Sequence, residues 1–180
     1  MNIPVFLSRP DPFNAKQKKF IDNLISELEK RFLDCHTLGS SDYDPVEPLS
    51  AIRRLMASAN GIITVAFGQT YIENATYKYG SEEKAVYKKE QKVNGQWDTS
   101  PYCQIETAMA FQLGLPIIIL VEEGVREQGI LEKGVIGTYL PSFSLDNADD
   151  YFAQADTQQV LKKWEAQVLH YYYNRGVPKN

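Results

Sequence analysis

The chain has little of what builds several common kinds of site. Its two cysteines, Cys35 and Cys103, lie far apart and outside any CxxC pair. A structural zinc site is therefore not expected, and two reduced thiols are the default. Its two histidines, His36 and His170, are isolated, in neither a metal nor a triad constellation, so no metal is expected. There is no GxGxxG and no Walker loop, which disfavours a Rossmann or P-loop nucleotide site. The glycines of "GVREQGILEKGVIGTY" have the wrong spacing for either and read as a flexible loop. The longest apolar run, Leu115 to Val121, is far too short to span a bilayer. The opening "MNIPVFLSRP" lacks a basic stretch followed by a long apolar one, so neither a secretory leader nor a membrane partner is expected, and the expected location is cytoplasmic. Positive charge is not in excess: the net charge is −4, which argues against a generic nucleic-acid or acidic-membrane binder. No internal repeat or low-complexity linker is present. Asn74-Ala75-Thr76 matches a glycosylation sequon, by chance in a cytoplasmic chain.

What is present fits one domain over residues 1–180. "IPVFLS" (3–8) reads as a first strand. Asn14 to Phe32 follows, with Phe20, Ile21, Leu24, Ile25, Leu28 and Phe32 at helical spacing and Asn14 as N-cap. "DCHTL" (34–38) is a weak second strand, and "GSSDYDPVEP" (39–48) is a loop. Leu49, Ile52, Leu55 and Met56 mark an amphipathic helix that Asn60-Gly61 stops. "IITVAF" (62–67) is a buried strand. A helix over 101–113 ends at Gly114 and runs into the strand "PIIILV" (116–121). Asp150 to Tyr173 reads as a C-terminal helix. Strands alternating with helices imply a parallel sheet covered on both faces. Such sheets bind ligands outside the carboxyl ends of their strands, at the switch in strand order. Residues 74–99 break the pattern, with five lysines and four acids among Tyr77, Tyr79, Tyr87 and Trp97. They read as an insertion at the site edge, a hairpin turning at Asn94-Gly95: either a solvated excursion, or a lid or assembly surface.

The stretch "SPYCQIETAMAFQLGLPIIIL" (100–120) poses the functional question. Ser100-Pro101 is a good helix start, with a hydroxyl N-cap and then a proline where no N–H is needed. Glu106 follows about one and a half turns in, among alanines, a methionine and aromatics. The nearest basic residues in sequence are Lys92 and Arg126. Glu106 is either an exposed helix acid or a carboxylate aimed at a ligand at the strand ends. In the second case it could stabilise positive charge developing on a sugar ring, or attack the anomeric carbon.

The order of motifs carries a resemblance. "VFLSRPDPFNAKQKKFIDNLISELEKRFL" resembles the opening strand and helix of a Toll/interleukin receptor (TIR) domain. "DYDPVEPLSAIRRLMASANGIITVAF" resembles its second helix and third strand, and "GQTYI" the loop after them. "SPYCQIE" is similar to the family's S-x-W-C-x-x-E, with Tyr102 where tryptophan is frequent. The resemblance runs from 3 to 121, interrupted after Ile72. It implies a flavodoxin-like three-layer α/β sandwich around a parallel sheet of four to five strands, and it implies Glu106 as the residue that cleaves the nicotinamide–ribose bond of NAD. NAD would be the substrate and no cofactor would be needed. By the same resemblance the role would be bacterial defence signalling, with activity switched by self-association or by a separate activating partner; the insertion and "HYYY" (170–173) are the candidate contact surfaces. The nucleoside 2-deoxyribosyltransferases share this layout, and "ETAMAFQLGLPIIIL" is similar to their E-x-x-x-A before a G-x-P-i strand. There the glutamate is a nucleophile that carries the sugar. Both resemblances imply a nucleotide or nucleoside ligand and N-glycosidic cleavage. A non-catalytic module for TIR association or nucleotide binding is the alternative.

Further candidates lie at the expected ligand edge. Ser8, Arg9 and Asp11 follow the first strand; Arg9 could hold a phosphate or pair with Asp11. Phe13 could supply the aromatic that many TIR domains place in this loop. Asp44 could bind ribose hydroxyls, or cap the next helix before Pro45. Phe67, Gln69 and Tyr71 end the third strand, and Tyr71 could stack on a base. Tyr102 sits a turn before Glu106. Glu122 and Glu123 end the fourth strand and could contact a second sugar.

Overall fold

The computed structural model describes residues 2–38, 47–82 and 89–175. Five strands form a sheet in the order β2-β1-β3-β8-β9: β1 (Ile3–Ser8), β2 (Leu33–His36), β3 (Ile62–Ala66), β8 (Ile117–Val121) and β9 (Thr138–Tyr139). Every neighbouring pair in it is parallel. This is the flavodoxin-like order, with its switch point between β1 and β3. β3 and β8 are buried at every position, as expected where helices cover both faces of a sheet.

Alternate residues of these strands feed two cores. Val5, Leu7, Ile63, Val65, Ile118 and Leu120 pack against α1 (Ala15–Glu29) and α5 (Ala155–Tyr173). Phe6, Ile62, Ala66, Ile119 and Val121 pack against α2 (Pro48–Ser58) and α3 (Pro101–Gln112). The period of two along the strands thus separates the faces. Asn14 is the N-cap of α1, its Oδ1 accepting the Gln17 N–H at 2.9 Å. Ser100 is the N-cap of α3, with Pro101 next, and Gly114 follows that helix at φ +69°, where only glycine is free of strain.

Several expectations are corrected. The first helix stops at Glu29, and Phe32 turns left-handed (φ +59°) and points to solvent; the chain must reverse there to start β2. The N-cap of α2 is Glu47, followed by Pro48. Asp44 is therefore not the cap: the proline-at-N1 rule holds, but at Pro48 rather than Pro45. Asp44 itself lies outside the described residues. The C-terminal helix is two pieces, α4 (Ala148–Tyr151) and α5, with a break at 152–154. Of "HYYY", Tyr171 and Tyr172 pack partly onto the two cores, and His170 and Tyr173 are exposed.

The insertion begins earlier than residue 74. β4 (Thr70–Ile72) pairs antiparallel with β7 (Gln96–Asp98), and β5 (Thr76–Tyr77) with β6 (Gln91–Lys92). It is a long hairpin whose arms leave the sheet just after β3. Asn94-Gly95 is not its turn. Gly95 (φ +72°) donates to the Ile72 carbonyl at 2.8 Å and Asn94 Oδ1 accepts from the Ala75 N–H at 3.0 Å, which makes the pair a kink in the returning arm. Among the described residues no helix is long and apolar enough to cross a membrane, and no cluster of metal-binding side chains occurs.

Candidate active site

The elements that converge on the C-terminal edge of the sheet are the end of β1, the end of β3 and the first turns of α3. The buried face of α3 consists of Cys103, Glu106, Thr107 and Ala110. Two contacts to β3 fix its rotation. The Thr107 and Thr64 hydroxyls meet at 2.6 Å, and Cys103 Sγ lies 3.8 Å from the Val65 carbonyl, while Thr107 Oγ1 also donates within the helix to the Cys103 carbonyl at 2.5 Å. A helix locked in this way must turn Glu106 inward, one residue before Thr107.

Glu106 is only 7% exposed. Burial lifts its carboxyl to about 7, and the Ser8 hydroxyl partly opposes this. No basic side chain among the described residues pairs with it. The two cations nearest in sequence are engaged elsewhere: Arg126 holds Asp98 through two bonds of 2.7 and 2.9 Å, and Lys92 donates to Thr76. Ser8 is 1% exposed and lies against both Glu106 and Cys103, yet its Oγ makes no hydrogen bond of ordinary geometry. A buried hydroxyl without a partner costs free energy. Cys103, pushed up to about 12 by burial, is an inert thiol at neutral pH. Among the described residues the position thus presents one poised carboxyl, one unsatisfied hydroxyl and no second acid or base.

The other expected residues are distributed as follows. Arg9 is mostly buried and bonds the Asp11 carboxylate at 3.1 Å and the Pro10 carbonyl at 3.2 Å, so it is engaged with its neighbour. Phe67 is fully buried in the α1-side core, edge-on to Phe20 and Phe143. It offers no surface to a ligand, a correction that follows from strand alternation carrying past the end of β3. Gln69 donates to the Gly68 carbonyl at 3.2 Å. Phe13, Tyr71 and Tyr102 are 59%, 50% and 45% exposed. Tyr71 stands 5.0 Å from Trp97, ring to ring.

Two residues at this edge were not singled out by the sequence. Gln17 is 1% exposed; its amide accepts the Phe13 N–H at 3.2 Å and donates to the Gly68 carbonyl at 3.4 Å. The signal was available: Asn14-x-x-Gln17 has the capping-box spacing. Trp97 lies on Gly68, a long-range contact that no local pattern reveals. Glu122 accepts the Gly68 N–H at 2.9 Å and lies against Gln17, and burial raises its carboxyl as well.

Three cavities walled by described residues lie elsewhere. One of about 440 Å³ sits between the hairpin and the loop after β8, one of about 390 Å³ lies beside α1 and α4, and one of about 530 Å³ flanks α5 near Gly114. Two of the charges lining the first are paired, Arg126 with Asp98 and Glu127 with Lys133. None of the three includes Glu106, which is identified by its chemistry rather than by cavity size.

No protein-family model and no curated protein matches the sequence. Solved structures do match. The CMP N-glycosidase BcmB of Clostridium botulinum overlaps with a TM-score of 0.50 at 16% identity, over 86% of this chain and 98% of that one. At that identity the likeness shows a shared fold. The TIR domains of the activated Roq1 resistosome overlap with a TM-score of 0.43 at 12% identity, over 97% of this chain and 86% of that one. A diflavin flavoprotein A3 from Nostoc sp. overlaps with a TM-score of 0.42 at 12% identity, over 97% and 96%. These two weaker overlaps carry no argument. The fold is the flavodoxin-like α/β sandwich expected from the sequence, and an N-glycosidase shares it.

Proposed function

We propose that the protein cleaves the N-glycosidic bond of a nucleotide, with Glu106 as the catalytic carboxylate and NAD as the substrate. The observation that supports this reading is the buried, unpaired Glu106 carboxyl, lifted to about 7, beside the unsatisfied Ser8 hydroxyl at the ligand edge of the sheet.

The chemistry follows from what stands there. Cleaving a ribosyl–nitrogen bond passes through an oxocarbenium-like state whose positive charge lies on the sugar. An ionised carboxylate in a site of low dielectric stabilises that charge strongly. Among the described residues Glu106 has no resident cation to compete, so a cationic sugar would be the partner its charge lacks. The Ser8 hydroxyl can orient the carboxylate or accept a sugar hydroxyl. Nicotinamide already carries positive charge while bonded to ribose and leaves as a neutral base, so no acid is needed to protonate it. That matches a site with one carboxyl and, among the described residues near it, no second acid. Water would complete hydrolysis at the anomeric carbon. A role in defence signalling, with control by self-association or a partner, is part of the same proposal and rests on the motif resemblance.

The test is incubation of the purified protein with NAD, CMP and deoxynucleosides, read by chromatography, alongside Glu106→Gln. The expected result is release of nicotinamide by the wild type and none by the variant. Loss of CMP or of a deoxynucleoside with NAD intact would move the substrate to that class. Equal activity of both proteins would remove Glu106 from the reaction.

A further inference from the structure

Around Gly68 several side chains converge that cleavage at Glu106 leaves without a role. The indole of Trp97 lies on Gly68: a Cβ added there would meet the ring at 2.9 Å, so only glycine permits this approach. The Trp97 main chain is fixed beside it, its N–H donating to the Gly124 carbonyl and its carbonyl accepting from the Arg126 N–H, each at 2.9 Å. The half-exposed Tyr71 ring stands beside it at 54°. Gln17 ties the backbone of Phe13 to the Gly68 carbonyl, and Glu122 takes the Gly68 N–H. Among the described residues, no basic side chain pairs with Glu122.

These groups select a ligand class. A half-exposed ring braced by a second ring is a stacking platform for a base. An unpaired carboxylate accepts hydroxyl donors and repels phosphate. Together they fit a ribose carrying a base. The geometry also says which ribose. β1, β3 and β8 are successive neighbours and Ser8 is level with Thr64 and Ile119, so Glu122 lies two strand spacings across and three residues further along, on the order of 14 Å from Ser8. Val121 belongs to the α3-side core, so by alternation Glu122 turns to the α1 side, whereas Glu106 sits on the α3 side. One sugar cannot reach both carboxylates.

We propose that the ledge over Gly68 is a second subsite that binds the other nucleoside of a dinucleotide, Glu122 receiving its ribose hydroxyls and Tyr71, braced by Trp97, stacking on its base. This rests on the N-glycosidase reading and extends it. The β4–β7 part of the insertion is thus a docked specificity wall.

NAD and nicotinamide mononucleotide share the scissile bond and differ by the AMP half, so their comparison isolates the ledge. The wild type is expected to favour NAD in kcat/KM by at least tenfold, and that ratio is expected to fall at least tenfold in Tyr71→Ala and in Glu122→Gln. An unchanged ratio in both variants would overturn the proposal and leave the glycosidase reading standing. A readout free of activity is AMP binding followed by tryptophan fluorescence, since Trp164 is buried in the core and Trp97 faces the ledge. Quenching that is lost in Trp97→Phe and weakened in Tyr71→Ala supports the subsite. No binding of AMP at millimolar concentration overturns it, whether or not Glu106 cleaves anything.

Discussion

Two carboxyl groups at the same edge of the sheet, Glu106 and Glu122, are both lifted by burial, yet they are built differently. Glu122 is anchored: the Gly68 N–H binds it at 2.9 Å and Gln17 supports it. Glu106 has only the Ser8 hydroxyl against a larger desolvation. Backbone donors stabilise a resting charge. A carboxyl without them is unstable as an anion until a cation arrives. The contrast separates a group suited to hold hydroxyls from one suited to meet a developing positive charge.

The largest expected effect breaks the contrast at its centre. Glu106→Gln removes the charge but keeps the shape, and NAD cleavage should fall by about 10³-fold or more, the scale of losing a principal transition-state electrostatic contact. Glu122→Gln should cost far less, about tenfold and mainly in KM. Steady-state kinetics on both variants decides this.

Stability sharpens the same contrast. A carboxyl raised from 4.5 to about 7 in the folded protein binds its proton more tightly folded than unfolded. Folding is therefore favoured at pH 4.5 relative to pH 7, and stability is lost as pH rises through that window. Above it the penalty is about 3 kcal/mol, from 1.36 kcal/mol per pH unit. Glu106→Gln should then stabilise the protein by up to that amount at pH 8, with the gain gone near pH 5. Urea unfolding at the two pH values measures it. A variant less stable than wild type at pH 8 would contradict the account of Glu106 as an unpaired buried charge.

Gly68→Ala tests the ledge through packing. Its Cβ would overlap the Trp97 ring, an overpacking that costs about 1–3 kcal/mol, and KM for NAD should rise severalfold through displacement of the indole. The smallest effect is expected from Ser8→Ala. Ser8 favours the Glu106 anion, so its removal should move the midpoint of the activity profile upward, by about half a pH unit to one unit for a typical hydrogen bond.

Much of the frame was legible in the sequence because it is written in local periodicity. Phe20, Ile21, Leu24 and Leu28 at helical spacing gave the buried face of α1, and Asn14 and Ser100 gave two caps. Glu106 was legible as a question, because an acid in an uncharged helix must be either solvated or confronted with something. Its inward turn was not legible: it depends on Thr107 meeting Thr64 across 43 residues of chain. Phe67 was misplaced for a related reason, since the alternation of β3 runs one residue beyond its last ladder bond. The ledge was hardest. Trp97 reaches Gly68 only because the hairpin folds back along β4 and β7, and no short window of sequence contains both.

The most direct test of the central assignment is kcat/KM for NAD cleavage as a function of pH, which reports ionisations of the free enzyme. If Glu106 acts as an anion, the profile rises tenfold per unit below its pKa, turns near pH 7 and is level above. A profile flat from pH 5.5 to 8.5, or one that turns near the ordinary carboxylate value, would contradict the assignment of Glu106 as the catalytic group.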